Sequence, residues 1–498
     1  MGAGCASVQT AVLRGVEALD VTVEASVSGG LPGIDIVGMP DSAVLEARTR
    51  VRCALRSAGF EMPRLHVTIN LAPGEVKKSG TGFDLPIALA VLLSTGQLSP
   101  RMAEGTLFVG ELALNGGVKA VRGAVAYALL ARRRGMALVA SAASPLPEGL
   151  GADARGLLSL AQLREGLEGL PALGGLTGVS GGGPDEDPSL DYADVVDQEL
   201  PKRAMVIAAA GGHGVLMVGP PGAGKTMLAR RLPEIMPPLS HAEAAEAMLI
   251  HSVAGQDLSE IARGRRPFRA PHHSISRGGL VGGGRPVIPG EVSLAHKGVL
   301  FLDEISEHAR GTLQALRQPL EDHEARIVRV DGVYSFPCDF QLVAASNPCP
   351  CGYLGDPAHE CRCTPAQIAS YQGRIGGPLM DRIDVVVDVA RPSTRKVIEG
   401  GSGTGSAEMA CAVAAAREFA GWRRERAGIS GPETVSEVEL EPAAQDAFER
   451  LAEGLALGGR AITRVARVAR TIADLAGRER VGMDDVVEAV GFRSRTLA

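Results

Sequence analysis

GPPGAGKT, residues 219–226, follows the apolar run GVLMVG, precedes a helical pattern and fits G-x-x-x-x-G-K-[ST]. Gly219, Pro220, Pro221, Gly222, Ala223 and Gly224 let the backbone curl so that its N–H groups surround phosphate oxygens. The helix that follows presents its positive end to the same oxygens. Lys225 is placed to reach the β- and γ-phosphates of ATP, and Thr226 to ligate Mg2+. A strand before and a helix after make a chance glycine loop a poor alternative.

Such a loop needs a parallel sheet beneath it, and the surrounding sequence supplies one. GVLFLDE, FQLVAAS and DVVVDV are short, continuous and apolar, as strands covered on both faces should be. VLFLDE delivers Asp303 and Glu304 at a strand end, where Asp303 suits the magnesium shell and Glu304 suits activation of the attacking water. FQLVAASN ends in Asn347, whose amide can orient water or touch the γ-phosphate; the plain alternative is an asparagine capping a turn. LMDRID puts Arg382 just before the last strand, and RAITRVARVAR puts Arg460, Arg464 and Arg467 on one helical face. An arginine at a subunit junction can neutralise charge developing on a neighbour's γ-phosphate. Taken singly, each would be read as a surface arginine in a weak ion pair.

The chain of 498 residues is too long for one core. Residues 1–171 mix strands (LHVTINLAP, GTLFVGEL) with helices (DLPIALAVLL, AVAYALLARRRG) and read as an α+β domain. Residues 172–190, rich in Gly, Pro, Ser and Asp, read as a linker. Residues 191–395 form the P-loop α/β core, and 405–498 are helical by pattern. The multidomain α/β class follows. No apolar stretch is long enough to span a bilayer and no secretory signal is visible, so cytoplasm is the default and no membrane partner is expected.

Half of the eight cysteines lie in NPCPCGYLGDPAHECRC, as Cys349, Cys351, Cys361 and Cys363. Four thiolates on a short loop can offer a tetrahedral set to zinc and fold a segment too small for its own core. An iron–sulfur cluster and metal-free reduced thiols are the alternatives, and His359 could replace one sulfur. The net charge of −6 argues against a wholly basic surface. Yet Ile261 to Gly290 has six arginines and no acid, and EDHEARIVRVDGVYSFPCDF alternates like a hairpin turning at Gly332. Arg277, Arg285, Arg326 and Arg329 are therefore candidate contacts to DNA phosphates, against the plainer reading of a solvated loop and a structural hairpin.

RPFRAPHHSIS, PGEVSLAHKGVLFLDE, NPCPCGYLGD, GPLMDRIDV and RVARTIADLAG together resemble the AAA+ ATPases, and within them the magnesium-chelatase-like group that includes the YifB/ComM proteins. GGLPGIDIVGMPD and INLAPGEVKKSGTGFDLPIA resemble that family's first domain, with the ribosomal-S5-like fold shared with the Lon protease domain. The resemblance makes Gly219–Thr226 the Walker A loop, Asp303 and Glu304 the Walker B pair, Asn347 sensor 1 and Arg382 the arginine finger. It matches Arg460 to sensor 2, with Arg464 as the alternative. It implies a homo-hexameric, ATP-driven helicase acting on branched or single-stranded DNA. The alternative is a motor subunit of a magnesium-chelatase-like or Lon-like protein-remodelling system. A Lon-type peptidase needs a serine–lysine dyad; alignment puts Gly82 and Tyr127 at those positions, with Ser79 and Lys119 nearby, so the first domain is read as non-catalytic. Asp197 stands where the family commonly has glycine.

Overall fold

VLMV, VLFL and QLVAAS are buried at every position, and such runs are stable only inside a sheet covered on both faces. In the computed structural model they lie side by side. The strands Phe268–Arg269, Val299–Leu302, Gln341–Ser346, Val215–Val218 and Val385–Asp388 follow in that spatial order, all parallel. Val215–Val218 is flanked on both sides, so the loop after it opens between two neighbouring strands. Residues 4–148, 150–174, 190–356, 358–399, 403–429, 431 and 433–493 are described. Most of the expected linker, 175–189, lies outside them.

The amino-terminal part carries a seven-stranded mixed sheet. Its long hairpin Cys5–Arg14/Glu17–Ser28 pairs residue for residue, and the buried helices Asp84–Ser94 and Ala124–Arg134 serve its core. It is joined to the parallel-sheet core through a shared interior. One apolar cluster runs from Leu107 and Val125 through Met248 and Val253 to Leu300. The backbone of Gly123 donates to the Ser252 carbonyl at 2.8 Å, and that of Val125 to Ser252 Oγ at 3.2 Å.

The carboxyl-terminal part is helical: Ser406–Ala427, Pro442–Gly454, Gly459–Leu475 and Met483–Gly491. Its apolar faces merge with the other side of the parallel sheet through Val215, Phe301, Val468 and Ile472. His213 latches the two together, with one ring nitrogen 3.1 Å from Asp384 Oδ2 and the other 2.8 Å from Thr471 Oγ1. Among the described residues no helix is long and apolar enough to cross a membrane.

Candidate active site

Parallel strands end on one edge of their sheet, and three of the five release polar residues there. Val218 leads into the phosphate loop, Leu302 into Asp303 and Glu304, and Ser346 into Asn347. Gly222 and Gly224 turn the loop through left-handed φ angles of 78° and 93°. Lys225 Nζ, almost fully buried, donates to the carbonyls of Gly219 (2.6 Å) and Pro220 (3.0 Å) and to Asn347 Oδ1 (3.1 Å). Burial lowers its pKa, and the charges of Asp303 and Glu304 oppose the shift.

Thr226 Oγ1 donates to Asp303 Oδ2 at 2.7 Å, while Asp303 Oδ1 accepts the Glu304 amide at 2.9 Å. Glu304 sits at φ 48°, a sparsely populated region for a residue with a side chain. Its carboxylate is 53% exposed and 3.4 Å from His273 Nδ1. His273 is held by ring contacts, with His272 at 4.0 Å and His308 edge-on at 6.5 Å between centroids. His308 Nε2 lies 3.3 Å from the Asp303 carbonyl, and its buried Nδ1 has no partner. That arrangement fits a neutral ring donating from Nε2, and burial holds the His308 pKa below the ordinary value.

Behind the loop, the Gln198 amide donates to the carbonyls of Ala223 (3.3 Å) and Ala390 (2.6 Å). Tyr192, fully buried, donates from its hydroxyl to the Leu228 carbonyl at 2.8 Å. Asp197 adopts φ 62° and accepts from Ser393 N and Lys396 Nζ. A left-handed backbone is where glycine is at ease and aspartate is tolerated, so the substitution needs no shift of the loop.

The arginines lie elsewhere. Arg382 borders Gly214, at the opposite end of Val215–Val218 from the phosphate loop, about 13 Å away by strand length. It pairs with Glu321 at 2.5 Å. Arg464 is buried there and donates to the Met380 carbonyl (3.0 Å) and Asp381 Oδ1 (3.2 Å). Arg460 reaches Asp381 Oδ2 at 3.3 Å with a side chain 73% exposed. Arg382, Arg460, Arg464 and Arg467 line one open cavity of about 720 Å³. Among the described residues no arginine bonds to Lys225, Asp303, Glu304 or Asn347.

Cys349, Cys351, Cys361 and Cys363 converge so that all four Sγ atoms lie within 4.8 Å of one another. Cys349 and Cys351 are 3.3 Å apart, Cys349 and Cys361 3.7 Å, and Cys351 and Cys361 3.6 Å, far beyond a disulfide bond. The backbone N–H groups of Tyr353 and Arg362 draw the Cys351 thiol down to about 6, while burial and the neighbouring thiols push Cys361 and Cys363 up. His359 instead stacks on Tyr353 and faces Asp356.

The basic segment is less basic than its sequence. Arg263 and Arg265 pair with Glu260, Arg266 with Glu243 and Arg269 with Glu291. Acids outside the segment pair with these four arginines, leaving Arg277 and Arg285 exposed. Glu324–Arg329 and Gly332–Pro337 form the hairpin, with Arg326 and Arg329 exposed and Arg326 paired to Glu324 at 2.5 Å. Gly283 lies against Arg329 and Gly282 against Ile327, so the insert and the hairpin share one surface. Arg14 and Gly15 of the first domain lie against Gly332 and Ser335. In that domain Gly82 packs near Val109, Tyr127 is buried, and no hydrogen bond joins Ser79 to Lys119 among the described residues.

His273, His308, Gln198 and Tyr192 were not legible as site residues. His273 carried a signal as part of the doublet in RAPHHSIS, and Gln198 as the glutamine that follows Asp197.

The five-stranded parallel order, the curled glycine loop and the acidic pair beside it define a P-loop ATPase core of the AAA+ type. Family models described as magnesium chelatase subunit ChlI match residues 23–143, 191–397 and, for its carboxyl-terminal part, 403–493. The competence protein ComM of Haemophilus influenzae is 40% identical over 494 residues, covering 96% of each chain. The YifB protein of Escherichia coli is 38% identical over 496 residues, covering 98% of this chain and 96% of its own. The magnesium-chelatase 67 kDa subunit of Heliobacterium mobile is 26% identical over 192 residues, covering 32% and 28%. The chain belongs to the magnesium-chelatase-like family, alongside YifB and ComM.

Proposed function

We propose that the chain is an ATP-hydrolysing ring motor that binds and remodels DNA, working as a branch-migration helicase. The observation that carries this reading is the separation of Arg382 and Arg460 from the phosphate loop of their own chain. Charge that builds on a transferring γ-phosphoryl group needs a guanidinium or equivalent. Arg382 stands where a neighbouring copy could present its nucleotide, so one site is completed by two chains.

Within that site Lys225 binds the β- and γ-phosphates, and Thr226 and Asp303 would hold Mg2+. Glu304 accepts a proton from the attacking water, and Asn347 orients it. Arg464, buried and bonded to carbonyls, braces the junction, leaving Arg460 beside Arg382 to face the neighbour. The hairpin and insert, with Arg277, Arg285, Arg326 and Arg329, grip phosphates in the ring's opening. The four cysteines hold zinc, and the first domain is a non-catalytic S5-like module that steadies the hairpin through Arg14. Kinship with ComM, whose name ties it to competence, supports DNA as the partner. The second reading, a protein-remodelling motor, draws on the shorter match to the magnesium-chelatase subunit.

ATPase rates measured with single-stranded, duplex and four-way-junction DNA test the proposal, with Glu304→Gln as control. Strongest stimulation by the junction supports it. Stimulation only by a protein substrate supports the second reading.

A further inference from the structure

The loop that carries the four cysteines lies directly on the phosphate loop. Gly352, one residue past Cys351, has φ 84°, and a Cβ there would lie 2.7 Å from Pro221 Cδ. Asn347, two residues before Cys349, holds the Lys225 ammonium. Pro348, between them, accepts from Gln372 Nε2 at 3.0 Å. On the far side Asp356 lies 3.4 Å from Arg391 Nε, and Arg391 covers the Tyr353 ring at 5.7 Å. Arg391 directly follows Ala390, whose carbonyl takes the Gln198 amide that also holds Ala223. The loop thus touches or adjoins three supports of the phosphate site: Pro221, Asn347 and the Gln198 bridge.

Among the loop's described residues few side chains are buried. Cys349 is buried, but Cys351, Cys361 and Cys363 are only half-buried, and Glu360 is exposed. Zinc bonded to four sulfurs at about 2.3 Å sets them about 3.8 Å apart, close to the 3.3, 3.7 and 3.6 Å separations found here. A cluster spreads its cysteines over several irons, which sulfurs all within 4.8 Å of one another do not match.

We propose that Cys349, Cys351, Cys361 and Cys363 bind one Zn2+ and that the metal-held loop clamps the phosphate loop through Gly352 and Pro221, so that metal loading sets nucleotide affinity. Zinc uptake displaces the remaining thiol protons to solvent and involves no electron transfer. The zinc site rests on the reading above; the clamp is an added claim about how that site is regulated.

The full chain, purified under reducing conditions, is assayed for metal by mass spectrometry and for binding of a fluorescent ATP analogue with Mg2+. The clamp predicts about one zinc per chain. It predicts that Cys361→Ser plus Cys363→Ser loses the metal and weakens nucleotide binding by about tenfold or more. Because that variant could misfold, Gly352→Ala is measured beside it. It should keep its zinc and its melting temperature to within a few degrees, yet bind nucleotide several-fold more weakly. Absence of zinc from wild type after growth with added zinc, or visible absorption from iron, overturns the metal assignment. Unchanged nucleotide affinity in both variants overturns the clamp. Zinc-loaded wild type that binds no ATP analogue would sink the ATPase reading together with the clamp and leave the metal site standing.

Discussion

Thr226 Oγ1 and Asp303 Oδ2 are 2.7 Å apart, which joins the first turn after the phosphate loop to the end of Val299–Leu302, beyond the intervening strand Gln341–Ser346. In the proposed site these two oxygens would hold Mg2+. Asp303→Ala and Thr226→Ala should each lower turnover about a hundredfold or more, while Glu304→Gln should keep nucleotide bound and stop its hydrolysis. Equilibrium binding and single-turnover assays separate these outcomes. Rapid hydrolysis by Glu304→Gln would remove Glu304 from the proton-accepting role.

Glu304 is engaged by His273, 3.4 Å away, and His273 is only four residues before Arg277 of the proposed DNA surface. Movement of that insert on DNA would carry His273 with it and free the carboxylate. His273→Ala should raise ATPase without DNA several-fold and shrink the stimulation DNA gives. A variant with wild-type basal rate and wild-type stimulation would leave the contact without a regulatory role.

Arg326 and Arg329 lie on the first strand of the hairpin, next to the exposed Val328 and Val330 near its tip. Arg326→Ala plus Arg329→Ala should weaken DNA binding regardless of sequence and flatten its dependence on log salt by about one to two units. An unchanged slope in a fluorescence-anisotropy titration would take the pair out of the interface.

His251, His296 and His308 are each buried, and burial lowers the pKa of each. A depressed histidine binds its proton more readily in the unfolded chain. Stability is therefore retained above the ordinary histidine pKa of about 6.5 and lost as pH falls below it, by at most about 1.4 kcal/mol per unit for each group. Thermal melts between pH 7.5 and 5.5, a window set by about that value, should show a falling midpoint. A flat profile would mean the rings are already protonated or accessible.

Much of this was readable from residues alone, because continuous apolar runs and a glycine loop leave few alternatives. GVLMVG, GVLFLDE, FQLVAAS and DVVVDV all form strands of one parallel sheet, and the expected carboxyl-terminal helices are present. What local pattern could not reveal was who neutralises whom. Arg269 looks free in sequence, yet Glu291 lies across the sheet edge, 2.6 Å away. Arg460 and Arg464 share a helical face, yet one projects and the other is buried on carbonyls, because only tertiary packing distinguishes adjacent turns. The meeting of His273 with Glu304, or Gly352 with Pro221, depends on chain segments far apart in sequence.

The most direct measurement mixes two damaged chains. On the proposed mechanism Lys225→Ala should fail to hold phosphate and Arg382→Ala should fail to complete a neighbour's site, so each alone should be nearly inactive. Random co-assembly at equal amounts leaves about a quarter of the junctions with both groups intact, so turnover should recover toward about that share of wild type. A mixture no more active than the mean of its two components would contradict hydrolysis at a shared junction.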